Sequence, residues 1–154
     1  MKVTMYLLAV LLQLGGTRPI NWEQPLRVKI ETAQVSVKTG QRVPVSTWVR
    51  NSGSTDATVE IWACAFPEEW VVDNPSIEIE QQNCVAENRS SIILKSGGEY
   101  QRDLMIVVHS GVANFDQKEL NFRMGFRNGV FRDEKHQPKT GPVWSNSVTL
   151  KVTK

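Results

Sequence analysis

The residues of widest chemical reach in this chain are Cys64, Cys84, His109 and His136, because the sequence holds only two cysteines and two histidines. A nucleophilic serine or cysteine needs a base positioned beside it. Neither histidine lies near either cysteine in sequence, and no G-x-S-x-G occurs. A structural zinc site needs closely spaced ligand pairs, and there is no C-x-x-C. Asp133, Glu134 and His136 stand together in DEKHQPKTGP, where acidic residues of a polar loop read as solvated rather than as a metal set. Glu68 and Glu69 are neighbours, so an extended backbone sends their carboxylates apart and no glycosidase pair forms. With no phosphate-binding glycine loop either, the sequence predicts no enzyme, no metal and no cofactor.

The cysteines have a different use. Met1 to Thr17, MKVTMYLLAVLLQLGGT, has one lysine, then an apolar stretch from Val3 to Leu12, then small residues. That is the pattern of a secretory leader. The apolar stretch is too short for a membrane helix, which needs about 20 residues. Its alternative reading is a buried N-terminal element of the domain. Behind a leader, two cysteines read as a disulfide made in an oxidising compartment. Cys64 and Cys84 enclose 19 residues, a loop whose closure stabilises by about 3 kcal/mol in the chain-entropy account. No cysteine sits at the leader boundary, so the mature form carries no lipid anchor and the expected location is secreted or periplasmic.

Removal of the leader leaves 137 of the 154 residues, enough for one domain. Eighteen Lys and Arg against sixteen Asp and Glu give +2, and about +1 without Lys2. Near-neutrality excludes a typical nucleic-acid binder, which needs a basic face. Arg123, Arg127 and Lys151 read as a solvated face.

The elements that must position any site are strands. From Leu26 onward apolar and polar residues alternate over short runs separated by turns. Leu26, Val28 and Ile30 share one face and Val35 and Val37 another, which predicts a bulge or kink between Glu31 and Gln34. Thr39-Gly40, Asn51 to Asp56 and Ser96-Gly97-Gly98 are turns. Val43, Val45, Thr47 and Val49 line an inward face, as do Leu104, Ile106 and Val108, then Leu120, Phe122, Met124 and Phe126. Val148, Leu150 and Val152 close the series, and Trp144 shares their parity, which predicts a core role for it. The expectation is an all-β immunoglobulin-like antiparallel β-sandwich of seven to nine strands preceded by a signal peptide: residues 1–17 the leader, 18–25 an extension, 26–154 the domain.

TGQRVPVSTWVRNSGSTDATVEIW, with LKSGGEYQRDL after it, resembles the bacterial extracellular immunoglobulin-like modules of the CARDB and NEW3 kind. They pair a strand ending in N-x-G with a later L-x-x-G-E turn, matched here by Gly40, Val43, Val45, Val49, Asn51, Gly53, Leu94, Gly97 and Glu99. The resemblance covers about half of the sequence and implies an adhesive, spacer or accessory role with no catalytic residue. A bacterial source would make Asn88-Arg89-Ser90, an N-glycosylation pattern, accidental. The cysteine-bounded loop and the ending GPVWSNSVTLKV depart from that pattern.

Parity sharpens the reading of the disulfide. Val59, Ile61, Ala63 and Ala65 point one way and Glu60, Trp62, Cys64 and Phe66 the other. With the aliphatic side inward, Cys64 faces away from the core. The bond would tie residues 67–84 over the outside of the sheet and cover Trp62 and Phe66. Two readings of that loop stay open: a recognition surface with Glu68, Glu69, Trp70 and Asp73 as contacts, or a cover for apolar surface. Phe131 and His136 in Asn128 to Pro142 form a second binding candidate.

The expected function is recognition of a protein partner through loops or a strand edge. An inhibitor of a secreted peptidase, or an immunity factor against an extracytoplasmic toxin, is the first alternative. The N-P-T-T-G and R-P-W motifs of immunoglobulin-like cysteine-peptidase inhibitors are absent, with Asn74-Pro75-Ser76 a partial echo. A carbohydrate binder using Trp48, Trp62 and Trp70 is the second.

Overall fold

A computed structural model describes residues 25–63, 66–81, 89–109, 119–128 and 141–153, with the side chains of Phe66 and Glu68 outside that description. The proposed leader, Cys64, Cys84, Phe131 and His136 lie outside it too. Among the described residues the protein is all-β apart from one helical turn, and no helix is long and apolar enough to cross a membrane.

Alternation of valine with polar residues builds the largest sheet. β3 (Arg42–Asn51) buries Val43, Val45, Thr47 and Val49 and turns the residues between them outward. It pairs antiparallel with β1 (Leu26–Glu31) on one side and with β8 (Glu99–Val108) on the other. β6 (Ile77–Ile79) completes the order β1-β3-β8-β6. β2 (Ser36–Lys38) lies beside β12 (Val148–Thr153), which pairs with β9 (Glu119–Phe122). β10 (Met124–Phe126) sits between β5 (Trp70–Val72) and β11 (Val143–Trp144). β4 (Ala57–Trp62) pairs with β7 (Arg89–Leu94), and α1 (Phe66–Glu69) is the helical turn leading into β5. The inner faces of all four sheets meet in one core, where Ile30, Val59, Leu104, Ile106, Leu120, Phe122, Phe126 and Leu150 are fully buried.

The parity change after Glu31 has a larger cause than a bulge. β1 and β2 belong to different sheets, so the backbone leaves one layer and enters another between them. Val37 is buried in β2, whereas Val35 precedes the strand and is exposed.

The N-x-G turn works through its asparagine. The buried Asn51 amide donates to the carbonyls of Thr55 and Leu94, and its Oδ1 accepts from the Gly53 N–H. Gly40 and Gly97 take positive φ of 77° and 75°, where a side chain would be strained.

Candidate functional site

The β4–β7 pair is held along its β4 side, and on its β7 side it meets no further strand among the described residues. The Asn128 amide accepts from Glu60 N–H at 3.1 Å and donates to Thr58 C=O at 3.2 Å. Farther along the strand, Trp62 N–H donates to Glu69 Oε2 at 2.8 Å and Trp62 C=O accepts from Arg102 Nη1 at 2.6 Å. In an antiparallel ladder, a residue whose polar groups face away from its partner strand belongs to a non-hydrogen-bonded pair. Thr58, Glu60 and Trp62 oppose Ile93, Ser91 and Arg89. The N–H and C=O groups of Ser91 and Ile93 therefore point outward along the far edge of β7, which pairs with no other strand among the described residues. The Ile93 side chain is 64% exposed.

A buried polar cluster anchors this arrangement. The Glu69 side chain is 0% exposed and lies 3.2 Å from Arg102, itself 15% exposed. Glu69 Oε1 accepts from Trp70 Nε1 at 2.9 Å, and its backbone carbonyl accepts from Arg127 N–H. Burial pushes the Glu69 carboxyl above its ordinary value, against the opposing pull of the Trp62 N–H, the Arg102 charge and the Trp70 N–H. Beside it, burial and the Glu69 charge raise the Tyr100 phenol to about 12, against the opposing pull of Arg102.

Trp70 and Glu69 thus face inward, which does not fit the reading of these two residues as exposed contacts and leaves the other reading, a loop that packs on the domain, open. Trp70 is 1% exposed and its ring stands 5.1 Å from that of Phe126. The reason is local: β5 is a three-residue strand packed against β10, too short for its alternation to be read. Asp73 leaves β5 and is taken up by Arg123, whose backbone N–H and Nε donate to it at 2.7 and 2.8 Å. Glu68 lies in α1. The four residues do not form one recognition surface through Glu69 and Trp70. The Cys64–Cys84 bond and the Phe131/His136 loop fall outside the described residues.

Trp62 turns away from buried Val59, as parity predicts, and the Arg89 guanidinium lies 5.9 Å from its ring. Trp48 is half-buried on the outer face of the large sheet, with the Lys29 ammonium 5.2 Å from its ring. The core role predicted for Trp144 gives way to a surface one. It is 38% exposed, packs over Gly125, where an added Cβ would stand 3.0 Å from its ring, and receives the Arg123 guanidinium at 5.2 Å. Residues 145–147 break the strand between β11 and β12, so parity does not carry across. Of the three tryptophans of the carbohydrate reading, Trp48 and Trp62 lie in different sheets and Trp70 is buried. No cluster of metal-ligating side chains occurs among the described residues.

The β7 edge leaves a signal in the sequence: Arg89 to Leu94 alternates, yet Ile93 breaks the polar face. No protein-family model matches the sequence. No curated protein matches it either. Among solved structures, Salmonella alpha-2-macroglobulin reacted with methylamine is similar over 83% of this protein at 9% identity and a TM-score of 0.48; the match spans 7% of that molecule. The ASH/PapD-like domain 7 of human CEP192 is similar over 99% of this protein and 93% of its own length, at 12% identity and a TM-score of 0.26.

Proposed function

We propose that the protein is an exported, noncatalytic immunoglobulin-like β-sandwich that binds a protein partner by accepting an added strand at the edge of β7. One observation carries this reading: β4 is satisfied on its far side by Asn128, Glu69 and Arg102, which leaves Ser91 and Ile93 of β7 presenting outward backbone groups beside an exposed isoleucine. An edge strand that pairs with no other strand among the described residues suits strand addition. The leader-like N-terminus supports an extracytoplasmic setting, and a Cys64–Cys84 bond would be compatible with it.

The alternation within β7 supplies the test. Ile93→Pro removes an outward N–H and leaves the β4 ladder intact, whereas Ile92→Pro removes a ladder donor. Affinity capture from the envelope and secreted fractions should recover partners with the wild type and lose them with Ile93→Pro, while Ile93→Pro keeps its thermal transition. Ile92→Pro should unfold. Equal recovery with folded Ile93→Pro would remove β7 from the proposal.

A further inference from the structure

The outer face of the large sheet carries a cost that the fold does not explain. Arg27 of β1 stands directly opposite Arg50 of β3, and Arg50 is paired in turn with Glu99 of β8. The next row reads Lys29, Trp48 and Gln101. Like charges facing each other across strands are destabilising, and the local carboxylates relieve this pair poorly. Arg50 reaches Glu99 at 3.5 Å with both side chains about half exposed, Lys29 engages Glu31, and Arg27 has no acidic partner among the described residues. Between them lies a depression of about 210 Å³ lined by Arg27, Val28, Lys29, Trp48, Arg50 and Glu99.

We propose that this depression is a binding site for a sugar acid, a pyranose bearing a carboxylate. The carboxylate would be held between the Arg27 and Arg50 guanidinium groups, whose planar donors match it, and the ring would lie against the Trp48 edge of the floor, displacing Lys29 from the indole. The volume is below the roughly 300 to 1,000 Å³ of sites for drug-sized ligands, which suits a single ring. An acidic peptide fits the place less well. The depression spans the edge strand β1 as well as β3 and β8, and it opens on the face of the sheet, where side chains rather than the strand-edge backbone groups used by an extended peptide supply the contacts. A sugar ring needs only an aromatic surface and side-chain donors. This site lies on a different sheet from the β7 edge and does not depend on the protein-partner reading.

Titration calorimetry of the full-length protein with a glucuronic-acid oligomer, the matching neutral glucose oligomer and an oligoglutamate peptide tests it. The uronate should bind, the neutral oligomer should bind at least about tenfold more weakly, and Arg27→Ala and Arg50→Ala should each weaken uronate binding by about tenfold, the loss of one charge-assisted contact. Without ligand, Arg27→Ala should melt at or above the wild-type temperature, because the facing repulsion is removed; this shows that lost binding is not lost folding. No uronate binding, binding indifferent to Arg27→Ala and Arg50→Ala, or oligoglutamate binding as tightly as uronate would each overturn the proposal.

Discussion

Glu69 and Arg102 meet 3.2 Å apart where α1 reaches β8, with the carboxylate fully enclosed and the guanidinium nearly so. Together they hold both backbone polar groups of Trp62, at the end of β4. The pair thus fastens a strand of the smallest sheet to the largest one. Removing a partner from such a pair leaves a buried group unsatisfied, which costs more than the pair contributes. Glu69→Ala should destabilise the fold by about 2–4 kcal/mol in chemical denaturation.

The pH dependence of this carboxyl runs opposite to that of most acids. Burial raises its folded value above the ordinary 4.5, so the folded state holds the proton more tightly than the unfolded one. Its contribution to stability is complete below about 4.5 and declines as pH rises through the folded value. A thermal-midpoint profile should show that declining component in the wild type and lack it in Glu69→Gln.

Asp73 gives the opposite sign. Burial pushes its carboxyl up, but the Arg123 backbone N–H, the guanidinium hydrogen bond and the guanidinium charge outweigh that and hold it below its ordinary value. The stability it contributes is present above the ordinary aspartate value of about 3.9 and is lost as pH falls through the folded value. Asp73→Asn should lower the melting temperature at neutral pH and flatten the acid limb of the profile.

Trp70→Ala tests the core rather than recognition. The ring is fully buried against Phe126, so truncation should cost about 3–5 kcal/mol. Urea denaturation should show that loss, and a drop in partner capture by this variant would report unfolding.

Asn146 caps one residue, Ile30, on the outer edge of β1. Its Oδ1 accepts from Ile30 N–H at 2.9 Å and its Nδ2 donates to Ile30 C=O at 3.1 Å, which imitates a neighbouring strand. Asn146→Ala should lose about 1–3 kcal/mol for the two backbone groups left without partners. Hydrogen exchange should locate the change at Ile30 N–H.

The residues alone determined the all-β character, the inward set of β3, β8, β9 and β12 and the turns at Thr39-Gly40 and Ser96-Gly97-Gly98, because a two-residue period and a missing Cβ are local properties. Parity on β4 likewise separated Val59 from Trp62. Tertiary structure decided what local period cannot carry. The sheet change between Glu31 and Ser36 reads in the sequence only as a bulge or kink, because parity records a change of face and not of layer. Trp70 and Glu69 went inward because β10 and β8 supply an aromatic ring and a guanidinium from distant parts of the sequence. Trp144 came to the surface because residues 145–147 interrupt its strand. The position of β7 at an edge among the described strands and the facing pair Arg27 and Arg50 follow from strand order and register, and these are set by which faces meet in the common core.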